Sequence, residues 1–305
     1  MSGLAAGEVG LQDDGISLSA ATLAALREFA LEKGVSLGRS GGGGGGDSGE
    51  QDGSAAAAVD VVRAVQQHFD VKEKETVFHI THGDVALELM GLKRELGQTL
   101  DSTGLTIWRA ADHLCEYVAA NRESFRDRYV CELGCGLGVV AILLDKLNVG
   151  ATIVATDGDD MTLDLLNKNI NGNGCSERLC ARKLWWSEAP ADAEAFLGDL
   201  AAAGGGGGGN RRFDVILAAD VIYDDAAVLP LAATAAALLA RPGGEMVLGF
   251  SRRNVPIGAF HAAAAKHGLA WETLRECGGG GSLSESEGNA FAGNEAIYRF
   301  FWKAP

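Results

Sequence analysis

From Tyr129 to Trp302, short apolar runs and longer helix-like stretches take turns along the chain. The runs at 129–133, 151–156, 179–184, 213–219, 244–250, 269–275 and 295–302 have strand length. The stretches between them at 138–148, 160–171, 190–203, 226–240 and 256–267 have helical spacing. Such alternation predicts an α/β fold, a parallel sheet covered by helices on both faces. Ligands of open sheets of this kind sit at the carboxyl ends of the strands, near the topological switch. Gly134–Gly138, Asp157 and Asp220 each follow a strand end and are expected on one rim.

The first rim segment is the most specific. Residues 130–138 read Val-Cys-Glu-Leu-Gly-Cys-Gly-Leu-Gly, and Asp157 ends the next apolar run nineteen residues after Gly138. Glycines let a ligand approach the main chain, and a helix starting behind the turn offers free N–H groups and a positive dipole end. An acidic residue at the end of the second strand suits the two hydroxyls of a ribose. The segment therefore reads as a site for an adenosine-containing cofactor. The dinucleotide fingerprint is G-x-G-x-x-G, whereas here Gly134, Gly136 and Gly138 alternate and Val139 takes the sixth position. Glu132, just before the turn, would repel a pyrophosphate and attract a cationic amino acid. The pattern E-x-G-x-G-x-G with a downstream Asp fits S-adenosyl-L-methionine better than NAD. The plainer alternative is a structural glycine-rich turn, common in α/β folds.

A second constellation follows the fourth strand of the alternating region. Phe213–Asp225 reads FDVILAADVIYDD, a buried strand from whose end Asp220 and Tyr223 emerge. A carboxylate to hold an amine's hydrogens and an aromatic face to stabilise nearby positive charge suit methyl transfer to nitrogen. The alternative is that Asp220 caps the helix at 226–240 and Tyr223 merely packs. Trp108 and Trp186 are further candidates, Trp186 with its backbone or ring bordering adenine. Trp185 competes with it, and strand alternation would let only one of the two face the site. Core packing is the plainer fate of each Trp.

Composition limits the partners. The net charge of −15 argues against a nucleic-acid backbone, which Lys and Arg would have to grip, and permits a basic protein partner. Cys115, Cys131, Cys135, Cys175, Cys180 and Cys277 form no C-x-x-C pair and read as reduced, mostly buried thiols. No histidine cluster has metal-ligand spacing, so no metal is expected. Lacking a leader-like N-terminus and any 18-residue apolar run, the chain reads as soluble, without membrane contact, in the cytoplasm or the nucleus. A monomer is the expected state.

Residues 1–58, rich in Gly, Ser, Ala and Asp, read as a mostly disordered tail with one short helix at 19–33. The domain is expected over 59–305, with an extension at 59–108 and a cofactor-binding core at 109–305. The extension would hold a helix at 59–69, strands at 76–80 and 85–89 joined through His82-Gly83-Asp84, and a short extended piece at 106–108. An amphipathic helix is expected at 110–120. The runs Gly41–Gly46, Gly204–Gly209 and Gly278–Gly281 read as linkers or loop insertions, because none combines defined offsets with a helix start.

ELGCGLG, TDGD (156–159), NKNIN (167–171), LWW (184–186), ADVIY (219–223) and IWRAADHL (107–114) together resemble the seven-β-strand methyltransferase-like family of protein-lysine methyltransferases. Members modify chaperones, elongation factors and calmodulin. The resemblance covers about Thr103–Phe250. It implies a three-layer, Rossmann-like, seven-stranded sheet with an antiparallel last strand, S-adenosyl-L-methionine as cofactor and a protein lysine as acceptor. It would place Trp108 against the cofactor, and Gly134, Cys135 and Gly136 at its methionine end. Asp157 would sit at the ribose, Trp186 at the adenine and Ala219 beside the cofactor, with Asp220 and Tyr223 facing the substrate. Glu132 joins them on physical grounds, as a carboxylate near the amino group. Trp185-Trp186-Ser187 departs from the Trp-Gly often found in the family. The alternatives are a small-molecule or RNA methyltransferase on the same fold, or a cofactor-binding module without activity.

Overall fold

A computed structural model of the protein describes residues 75–92, 103–204, 211–251, 255–277 and 295–303. The helices expected at 19–33 and 59–69, and nearly all of the glycine runs, lie outside these residues. The described part opens with a hairpin, β1 (Glu75–His82) and β2 (Val85–Leu92), closed by Gly83-Asp84 in the register His82 opposite Val85. Then come α1 (Arg109–Ala120), β3 (Tyr129–Leu133), α2 (Val139–Lys146), β4 (Thr152–Asp157), α3 (Asp160–Gly172) and β5 (Leu179–Lys183). The second half holds α4 (Pro190–Ala202), β6 (Val215–Ala219), α5 (Asp225–Leu238), β7 (Glu245–Phe250), α6 (Ile257–Lys266), β8 (Leu269–Glu276) and β9 (Ala296–Trp302).

Among the described residues, β1 and β2 pair only with each other, and the other seven strands form one sheet in the order β5-β4-β3-β6-β7-β9-β8. β3 to β7 pair in parallel, and β9 runs antiparallel between β7 and β8. The period-two alternation of apolar residues feeds two cores. Cys131, Leu133, Val154, Ile216 and Leu248 pack with α4, α5 and α6, whereas Val130, Ile153, Leu217 and Val247 pack with α1, α2 and α3. The result is the expected three layers with the expected antiparallel last strand.

Element ends have local causes. α2 stops before Asn148, which adopts a left-handed φ of 57°. Phe213 leaves the β6 ladder to bridge Leu239, which begins β6 later and ends α5 earlier than the apolar pattern suggests. The chain leaves β3 toward β4 and β5, then returns to β6 on the other side of β3. The loops after β3 and β6 therefore diverge, which leaves a crevice at the carboxyl ends of these two strands. The hairpin is tied beside this crevice by Asn169 of α3. Its amide donates to the carbonyls of Met90 and Leu137, at 3.1 Å each, and its oxygen accepts from the Met90 N–H at 2.7 Å.

Candidate functional site

The crevice is a cavity of about 540 Å³, and all ten residues singled out in the sequence line it: Trp108, Glu132, Gly134, Cys135, Gly136, Asp157, Trp186, Ala219, Asp220 and Tyr223. Its size falls within the usual range for small-molecule sites.

The floor is the turn between β3 and α2. Gly134 and Gly136 take φ of +65° and +52°, and a Cβ on Gly134 would lie 2.9 Å from Val221 Cγ1 and 3.1 Å from Trp186 Cζ2. A side chain there would be both strained and crowded. The turn is fixed to the end of β4. The Cys135 N–H donates to the Thr156 carbonyl at 2.9 Å, and the Thr156 hydroxyl donates to the Glu132 carbonyl at 2.7 Å. Asp157 pins the same turn, accepting from the Gly136 N–H and the Asp159 N–H at 3.1 Å each. Burial pushes its carboxyl above the usual range, against the pull of those two N–H groups.

Glu132 is buried and accepts from the Ala141 N–H at 2.9 Å. α2 starts at Gly138, which has no side chain to cap it, so a carboxylate from β3 does so instead. Burial pushes the Glu132 carboxyl up to about 8, and Asp157 adds to that while the Ala141 N–H opposes it. Glu132 thus combines a place on the cavity wall with a capping job that its sequence position did not advertise. Cys135 is a buried thiol with its pKa pushed up by burial, unsuited to act as a thiolate.

The opposite wall comes from the segment ahead of α1 and the loop after β6. Trp108 occupies the N-cap position of α1 in an extended conformation, and its indole N–H donates to the Thr103 carbonyl at 2.9 Å. Asp220 has a left-handed φ of 56° and is buried. That conformation costs a non-glycine residue about 1 kcal/mol or more. Its Oδ2 accepts from the Ala110 N–H of α1 at 3.1 Å, and its Oδ1 accepts from the Ser251 N–H at 3.2 Å and from the Ser251 hydroxyl. Asp220 does not cap the helix that follows it: Asp224 does, accepting from the Ala226 N–H at 3.0 Å. Tyr223 is half exposed at the cavity mouth, where its hydroxyl lies 3.4 Å from the donating Thr103 hydroxyl.

The choice between Trp185 and Trp186 dissolves. β5 ends at Lys183, so strand alternation no longer governs residues 185 and 186, and both indoles line the cavity. Trp186 lies against Gly134. Trp185, 69% exposed, lies over Gly158, where a Cβ would come within 3.0 Å of its ring. Spacing did not single out Thr103 or Ser251: Thr103 reaches the site as a hydroxyl and a carbonyl, and Ser251 reaches Asp220 across the sheet edge.

Residues 92–265, more than half of the chain and inclusive of every residue just described, match the family model described as lysine methyltransferase. The chain belongs to this lysine methyltransferase family. Over 98 residues it is 33% identical to protein-lysine N-methyltransferase EFM3 of Chaetomium thermophilum, covering 32% of this chain and 29% of that protein. Over 111 residues it is 29% identical to protein-lysine N-methyltransferase EEF2KMT of Mus musculus, covering 32% of this chain and 33% of that one. The chain spans about a third of the length of these curated relatives. Among solved structures, SMU.776 complexed with SAH superposes with a TM-score of 0.50 at 9% identity, over 79% of this chain and 65% of that one, a likeness of fold. Among the described residues of this lysine methyltransferase family member, no group of three or more His, Cys, Asp or Glu could hold a metal ion. No described helix is long and apolar enough to cross a membrane.

Proposed function

We propose that the cavity binds S-adenosyl-L-methionine and that the protein transfers its methyl group to the side-chain amine of a lysine in a protein substrate. One observation carries this: the glycine turn, Asp157 and Tyr223 line a single cavity in a chain of the lysine methyltransferase family. The fit to the cofactor is physical. Gly134 and Gly136 leave the turn open where a side chain would intrude, and α2 starts directly behind it. Asp157 ends β4 as a carboxylate acceptor lining the same cavity as the turn, and Trp185 and Trp186 add two aromatic surfaces to that lining. Glu132 supplies negative charge toward the methionine end when it is ionised.

When bound, the cofactor supplies an electrophilic methyl group on a sulfonium centre. The chain's own residues must bring a neutral amine into line with it and keep water out. Ile107, Ala219 and Val221 make the wall between the two loops apolar, which disfavours the ammonium form of an entering lysine. Tyr223 offers a ring face and a hydroxyl at the mouth, where charge builds on nitrogen as the new N–C bond forms and the S–C bond breaks. The amine then loses a proton to solvent.

The names of the relatives support a protein acceptor, and the net charge of −15 suits a basic one. The six cysteines carry no disulfide, which suits a reducing compartment such as the cytoplasm or nucleus. We take the protein to act as a monomer. The test is transfer of radiolabel from S-adenosyl-L-methionine into a cell extract separated into protein, RNA and small-molecule fractions. Label in the protein fraction is expected. Label confined to RNA or metabolites would replace the lysine reading with one of its alternatives, and cofactor binding without label anywhere would favour an inactive module.

A further inference from the structure

Whereas α5 is capped by its own Asp224, two of the helices that border the cavity start at residues with no side-chain acceptor to cap them, Trp108 for α1 and Gly138 for α2. Each receives a buried carboxylate from a neighbouring strand end, Glu132 at Ala141 and Asp220 at Ala110. We propose that Asp220 is a positioning residue: with Tyr223 it forms a two-point clasp that holds the Thr103–Ala110 segment as a fixed wall of the site, and it does not receive the substrate amine.

Three observations support the clasp. Both Asp220 oxygens already accept from protein donors, the Ala110 N–H on one side and the Ser251 N–H and hydroxyl on the other. Asp220 itself lines the cavity, but neither Ala110 nor Ser251 does, so the groups its carboxylate holds lie behind the cavity wall. The left-handed backbone at Asp220, held by its N–H on the Gly249 carbonyl at 3.0 Å, is a conformation that Asp and Asn tolerate better than other side chains. The motif's second residue grips the other end of the same segment. Tyr223 meets the Thr103 hydroxyl, and the Thr103 carbonyl holds the indole N–H of Trp108. Between the two grips, Leu105 and Thr106 are buried while Thr106, Ile107 and Trp108 face the cavity. D-x-x-Y spacing therefore matches the span of a wall.

The functional consequence rests on the cavity being the cofactor site. If Asp220 lets go of α1, Trp108 loses its fixed place, and cofactor affinity falls before any substrate arrives. Asp220→Asn keeps the shape and the backbone preference but turns an N–H donor toward Ala110 or Ser251. Ser251→Ala removes a partner that no ligand in the cavity reaches, and Ser251→Thr restores the hydroxyl. In the full chain, two readouts separate the roles: hydrogen exchange at the Ala110 amide and SAH affinity by calorimetry. For Asp220→Asn we expect exchange at Ala110 to quicken and SAH affinity to fall by about tenfold or more, the loss of one charge-assisted hydrogen bond. Ser251→Ala should show a smaller change of the same kind, Ser251→Thr should recover it, and the double variant should be no worse than Asp220→Asn alone. Wild-type exchange and wild-type SAH affinity, with methyl transfer alone lost, would overturn the clasp and return Asp220 to the substrate. A lowered melting temperature with both readouts unchanged would overturn it too. If Asp220→Asn does not fold, Ser251→Ala decides by the same readouts. A wild-type chain that binds no SAH would refute the cofactor reading, and Ala110 exchange would still judge the clasp.

Discussion

Replacing Glu132 by glutamine tests whether this buried carboxyl faces the cofactor's ammonium. Its carboxyl rises from a usual 4.5 to about 8 on folding because it is buried. The folded state therefore holds a proton that the unfolded chain has released between those values, and stability from this group is present at low pH and lost as pH rises toward 8. The loss is about 1.4 kcal/mol per pH unit across that window, or about 3 kcal/mol by pH 7. Glutamine can accept from the Ala141 N–H but cannot titrate. In urea unfolding, the stability difference between variant and wild type should grow in the variant's favour with that slope from mildly acid to neutral pH. Parallel curves would show that Glu132 ionises normally. Calorimetry supplies the second half. A cation placed beside Glu132 should drive off its proton, about 0.9 of a proton at pH 7 for a group titrating at about 8. Measured in two buffers of different ionisation enthalpy, SAH binding to wild type should release that much more proton than binding to Glu132→Gln. Equal proton release would refute the placement of the amino group.

Further outcomes follow from the same geometry. Asp157→Ala removes the expected ribose acceptor and also frees the Gly136 and Asp159 N–H groups, so SAH affinity should fall by about a hundredfold in calorimetry, two charge-assisted hydrogen bonds being at stake. Gly134→Ala should lower stability by about 1–3 kcal/mol in thermal unfolding, from the left-handed φ and the crowding by Val221 and Trp186, and should weaken SAH binding. Tyr223→Phe should weaken SAH binding by about threefold, the loss of one neutral hydrogen bond to Thr103 and so of the weaker of the two grips on the wall, while slowing turnover.

The layers of the fold were legible because burial on both faces leaves a continuous apolar strand, as in Tyr129–Leu133, and helices between strands leave their own period. The cavity was legible for a topological reason: residues after parallel strands share one edge, so Gly134, Asp157 and Asp220 had to approach one another. What the two acidic side chains touch was not legible. Whether Glu132 and Asp220 point at a ligand or at a helix start depends on contacts with Ala141, Ala110 and Ser251, the last two 110 and 31 residues from Asp220. The clue available in the sequence was negative, since neither Trp108 nor Gly138 can cap the helix it opens. The Trp pair misled for a similar reason: alternation holds only inside a strand, and β5 stops one residue before Leu184.

The most direct measurement of the central claim is the chemistry of the modified side chain. Full-length protein, incubated with isotopically labelled S-adenosyl-L-methionine and a proteome from cells lacking it, is followed by peptide mass spectrometry. The account predicts a labelled methyl group on the ε-nitrogen of lysine in a small set of proteins, absent when Asp157→Ala replaces the wild-type chain. Label on another side chain, or on lysine at the same level with Asp157→Ala, would contradict it.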